Sequence, residues 1–72
     1  QLLELLMMGL RLAEGIPLAR LGQVGRRPWR ASLHAEGLAR SIDAGWLAVA
    51  DGRLLATAAG RQRLDGVLRD LI

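Results

Sequence analysis

Two apolar stripes run along the start of the chain. Leu3, Leu6, Met7 and Leu10 recur at i, i+3, i+4 and i+7, the spacing of one helical face. Leu2, Leu5 and Leu12 form a second stripe, displaced by about a quarter turn or more on a 3.6-residue helix. Glu4, Arg11 and Glu14 leave only a narrow polar edge. The pattern predicts a helix over Gln1–Glu14, with Gly15 as its stop. Ile16-Pro17 then opens a short second helix, Pro17 at the first helical position, where a missing N–H costs nothing. That helix carries Leu18 and Leu21 and ends near Gly22. Gly22–Pro28 reads as a loop held open by Gly25 and Pro28. A third helix follows over Trp29–Ala44: Trp29, Leu33, Leu38 and Ile42 keep a helical period, with Gly37 and Ser41 on the same side.

After Gly45 the period changes. Two short apolar runs, Trp46–Ala50 and Arg53–Thr57, flank Asp51-Gly52. That dipeptide is a strong hairpin signal, because a tight two-residue turn needs positive φ at both central positions. Thr57 ends the second strand, and its hydroxyl suits the free N–H groups of a helix beginning at Ala58. Gly60 stands where a capping box needs Glu or Gln, so the cap is incomplete. The last helix, Ala58–Ile72, is expected to bury Leu64, Val67, Leu68 and Leu71. The expected fold is mainly α with a small β-hairpin. It is a winged-helix-like plan of three-helix core, hairpin wing and C-terminal helix, in a single domain over residues 1–72.

Composition narrows the chemistry. A chain of 72 residues buries only about 60% of its unfolded surface and sits near the lower limit of independent folding. It has no cysteine and one histidine. A disulfide framework or iron–sulfur cluster is excluded, and a zinc site is not expected. No apolar run approaches the roughly 20 residues that span a bilayer, so no transmembrane segment is expected and a cytoplasmic location is the default. The chain opens at Gln1, without an initiator Met and already inside the helical pattern, so we read it as a piece cut from a longer protein. All ten basic residues are arginine, yet the net charge is only +3. Arg26, Arg27 and Arg30 alone account for that excess.

Each polar candidate has a simpler structural reading. Arg26, Arg27 and Arg30 surround Trp29, which would suit phosphate or base contact. Three arginines fall short of the about 6–10 phosphate contacts of a strong DNA binder; a solvated loop with Trp29 turned inward accounts for them. His34 lies mid-helix in this reading, with no facing carboxylate, since Glu36 is two positions away. Asp51 and Gly52 are turn formers and Thr57 is a cap. Ser32 and Ser41 lack a base and an oxyanion site. No catalytic, cofactor-binding or metal-binding residue emerges, and the chain alone is not read as an enzyme.

Two segments resemble a known family. Met7-Met-Gly-Leu-Arg-Leu-Ala-Glu-Gly-Ile-Pro-Leu-Ala-Arg20 is similar to the LMxGLRLxEGxxL opening of a C-terminal domain. That domain belongs to oxygen-independent coproporphyrinogen III oxidases and their radical SAM haem-chaperone relatives. Ile42-Asp-Ala-Gly-Trp-Leu47, Asp51-Gly-Arg-Leu54 and Thr57-Ala-Ala-Gly60 resemble that domain's ending, although Ala56 stands where the family usually has Leu. The resemblance implies a parent with an N-terminal radical SAM barrel, a [4Fe–4S] cluster and S-adenosylmethionine, acting on porphyrin or haem. The cysteines of that machinery are absent here, so no catalytic residue carries over.

The leading functional expectation is therefore an accessory domain packed on its own N-terminal radical SAM barrel. A small core covers one helical stripe, which leaves Leu2, Leu5 and Leu12 as the inter-domain docking stripe. Two alternatives stand beside it: a winged-helix nucleic-acid-binding module, or a protein–protein interaction module of a regulator. Glu36 and Asp43 on the third helix and Asp51 at the wing tip oppose a polyanion, so no specific nucleic acid is expected. Since no thiolate is available for a cluster, calorimetric titration of this chain should show no micromolar binding of S-adenosylmethionine, and iron–sulfide reconstitution should yield no cluster. Stoichiometric uptake of either would contradict the assignment of that chemistry to another domain.

Overall fold

Asp51 and Gly52 both take positive φ, 53° and 70°, the pair of values a type I′ turn requires. The turn joins β2 (Leu47–Ala50) to β3 (Arg53–Ala56) as an antiparallel hairpin. Its register pairs Ala50 with Arg53, Val49 with Leu54 and Leu47 with Ala56. The computed structural model describes residues 1–72. Five helices surround this sheet: α1 (Leu2–Gly9), α2 (Leu18–Gly25), α3 (Ala35–Asp43), α4 (Ala58–Arg61) and α5 (Leu64–Leu71). The architecture is mainly α with a small hairpin, as the sequence pattern predicts.

The sheet has a third strand beyond the two that the sequence pattern predicts. Ile16-Pro17 forms β1, which pairs with β3 through Ile16↔Leu54 and Pro17↔Arg53. The sheet order is β1-β3-β2, so the last strand in sequence is central. Pro17 lies on an outer strand, where the missing N–H removes no interior ladder bond. It precedes α2 rather than opening it, and α2 runs on to Gly25 before Arg26 closes it in the left-handed region at φ 58°.

Helix α1 stops at Gly9 rather than Glu14. Residues 10–14 form turns that bring Ile16 onto β3. The rotation of α1 also differs from the expectation. Leu6 and Leu10 are fully buried, while Leu3 and Met7, placed in the core by the sequence pattern, are exposed. Leu2 and Leu5 are half-buried and pack against the core. The cause is a close approach. A Cβ at Gly9 would run into the side chain of Ile16, so the face bearing Leu2, Leu5, Leu6, Gly9 and Leu10 is the one that meets the sheet.

The third helix is also broken. Trp29–Ser32 is a single 3-10 turn and Leu33 is extended, with φ −119° and ψ 159°. His34 is then the N-cap of α3, not a mid-helix residue: its Nδ1 accepts the Gly37 N–H at 3.3 Å. The His34 N–H donates to the Leu71 carbonyl at 2.9 Å. Gly37, Leu38 and Ser41 form the buried side of α3. A Cβ at Gly37 would collide with the Asp70 carbonyl oxygen, so α3 and α5 touch backbone to backbone.

The final helix is split at Gln62–Arg63. Arg63 leaves helical geometry at φ −131°, ψ 37°. Helix α4 is tied to the hairpin through Thr57, whose Oγ1 accepts the Gly60 N–H at 3.1 Å and donates to the Gly45 carbonyl. The chain redirects after that cap so that α5 can bury Val67, Leu68 and Leu71. Leu64 is only half-buried. Twelve residues make one core, from Leu6 and Leu10 through Ile16, Leu47 and Leu54 to Leu71.

Two predictions follow from this packing. Gly52→Val places a β-branched side chain at φ 70° and should cost about 1–3 kcal/mol in urea unfolding; an unchanged midpoint would mean a different turn. Leu6→Ala should cost about 2–5 kcal/mol, whereas Leu3→Ala should stay within about ±0.5 kcal/mol. Equal losses would show that α1 is rotated otherwise.

Candidate docking face and basic groove

The side of α1 turned away from the sheet carries exposed apolar side chains on either side of Glu4. Leu3 is 47% exposed, Met7 39%, Met8 73%, and Leu12, in the turn that follows, 53%. Exposed apolar side chains gathered in this way mark interaction surfaces. Beside them, α1 and α2 enclose a groove of about 520 Å³. Leu5, Met8, Leu12 and Val24 supply its apolar lining, with Glu4 and Arg20 bringing opposite charges to it. Of the three residues that sequence reasoning assigns to docking, Leu12 is open to solvent and Leu5 lines the groove. Leu2 lies half-buried at the core edge. Val24 and Arg20 carry no such signal in the sequence, because α2's contribution arises only when the two helices meet.

A second groove, of about 550 Å³, lies where the α4–α5 kink approaches the turn after α1. Arg11, Arg61, Arg63 and Asp65 line it. Arg11 Nε donates to the Met7 carbonyl at 3.0 Å and Arg61 Nη1 to the Ala56 carbonyl at 2.8 Å. The Arg63 guanidinium sits 4.1 Å from the Trp46 ring centroid. Sequence reasoning missed this cluster too, because its members are far apart in the chain.

Two members of the cluster that sequence does display have structural roles. Arg26 closes α2, and Arg30 lies 4.7 Å from the centroid of Trp29. Trp29 itself is half-buried against the core. On α3, Arg40 Nε lies 3.6 Å from the Asp70 carboxylate. Asp51, Gly52 and Thr57 serve the turn and cap described above. No group of three or more His, Asp or Glu residues is placed to hold a metal ion. With no cysteine, the chain offers no thiolate to a [4Fe–4S] cluster, so it does not fit that group as a ligand set. No helix is long and apolar enough to cross a membrane.

A comparison with protein-family models matches residues 1–63 to the HemN C-terminal domain. No curated protein matches significantly, nor does any solved structure. The match takes in α1, all three strands and α4, and with them the apolar face. It stops just before α5, the helix that supplies Val67, Leu68 and Leu71 to the core. With seven-eighths of its length covered, this chain belongs to the HemN C-terminal domain family.

Proposed function

We propose that the chain is the accessory C-terminal domain of a radical SAM protein like the oxygen-independent coproporphyrinogen III oxidases or haem chaperones. It is a winged-helix-like module that packs on the catalytic barrel of its own protein in the cytoplasm. The barrel would hold the [4Fe–4S] cluster and S-adenosylmethionine and act on porphyrin or haem; this domain would help enclose that site. The observation that carries the reading is the apolar outer face of α1, within a chain that matches the HemN C-terminal domain. In this reading Leu12 docks with its open side chain and Leu5 through the groove it lines, Leu2 lies at the core edge, and Met8, Leu3 and Met7 add open area. Glu4 and Arg20 beside the groove would fix the orientation of the covering surface, since charge complementarity sets register more than affinity.

The docking role is tested with Met8→Asp and Leu12→Asp. Both side chains are exposed, so each change should alter the stability of the isolated domain by no more than about 0.5 kcal/mol. In the intact protein each should loosen the domain, read as faster limited proteolysis of the inter-domain junction. Unchanged proteolysis in both variants would place the interface elsewhere.

A further inference from the structure

The basic groove is not used by the docking reading, and the inference drawn from it does not rest on that reading. Its three arginines are each anchored from one side. Arg11 spends Nε on the Met7 carbonyl and Arg61 spends Nη1 on the Ala56 carbonyl. Arg63 lies against the Trp46 ring. The chain's one ion pair joins Arg40 to Asp70, so none of the three is paired with a carboxylate. A guanidinium carries five N–H donors. Most of those donors are therefore unclaimed by the protein, on side chains whose positions are already restricted. Asp65 is the only acid lining the groove; three positive charges face one negative charge.

We propose that this groove binds a small polyanion, a ligand with at least two carboxylate or phosphate groups. The planar guanidinium fork matches both oxyanions, and stacking on an aromatic ring leaves the fork's edge free to donate. Two net positive charges call for a ligand of charge about −2 or more. Anchoring removes part of the side-chain ordering cost that binding otherwise carries. A nucleic-acid strand fits less well: strong binders make about 6–10 phosphate contacts, whereas this groove presents three arginines interrupted by Asp65.

Trp46 and Trp29 provide the readout. Each has an arginine over its ring, but only Trp46 touches a residue that lines the groove, Arg63. The 72-residue chain is titrated with pyrophosphate, and separately with citrate, at constant ionic strength held by sodium chloride. The indole N–H signals are followed by two-dimensional NMR. Expected is a saturable shift at Trp46 with Trp29 unmoved. Tighter binding of pyrophosphate identifies a phosphate ligand, and tighter binding of citrate a carboxylate one. Arg61→Gln and Arg11→Gln should each weaken binding about tenfold, the scale of one charge-assisted hydrogen bond, while Arg27→Gln should leave it unchanged. Two variants guard against a folding defect in either. Parallel, non-saturating shifts at both tryptophans, or equal affinity in all three variants, would overturn the proposal.

Discussion

Leu54 is where the two halves of the chain meet. It is fully buried on the central strand, opposite Val49 of the hairpin on one side and Ile16 of the N-terminal half on the other. The type I′ turn at Asp51-Gly52 fixes the first pairing, because a one-residue slip would turn Leu54 outward. The second pairing is only two residues long, yet it draws Ile16 into the core and with it Leu6 and Leu10 of α1. Burial of these side chains, about 1.5–3 kcal/mol for each large aliphatic, outweighs the loss of the longer first helix that local pattern alone would favour.

The same constraint determines what the surface offers. Once Ile16 is seated under Gly9, α1 has one possible rotation, and Leu3, Met7 and Met8 are turned to solvent. The outer face is thus a consequence of core packing. In a domain this small, the elements that fill one core leave nothing to cover a second apolar stripe. The arginine groove has a parallel origin. The cap at Thr57 ties α4 to the hairpin, α5 must bend away to reach the core, and the bend carries Arg61 and Arg63 toward Arg11.

The most local signals were the most legible. Asp51-Gly52 and Thr57 act within a few residues of themselves, and the turn, the hairpin register and the cap appear where the sequence places them. The resemblance carried by Met7–Arg20 and Ile42–Gly60 likewise agrees with the family match. Helix limits were harder, because tertiary contacts set them. His34 becomes a cap only because Gly37 brings α3 against the end of α5. Ile16-Pro17 becomes a strand only because β3 has a free edge there. The rotation of α1 was ambiguous for a plain reason: both of its stripes are leucine-rich, so periodicity could not choose between them, and the contact of Gly9 with Ile16 does. The arginine groove joins residues about 50 positions apart in sequence and has no local signature.

The central claim is that the outer face of α1 is open in this domain and covered in the intact protein. Methionine oxidation reports on it directly, since exposed thioethers oxidise readily to sulfoxides. Met7 and Met8 are the chain's two methionines, and both lie on that face. Dilute hydrogen peroxide should oxidise Met8 faster than Met7 in the isolated domain, following their exposures of 73% and 39%. In the intact protein both should be protected. Equal oxidation rates of Met8 in the isolated domain and in the intact protein would contradict the account.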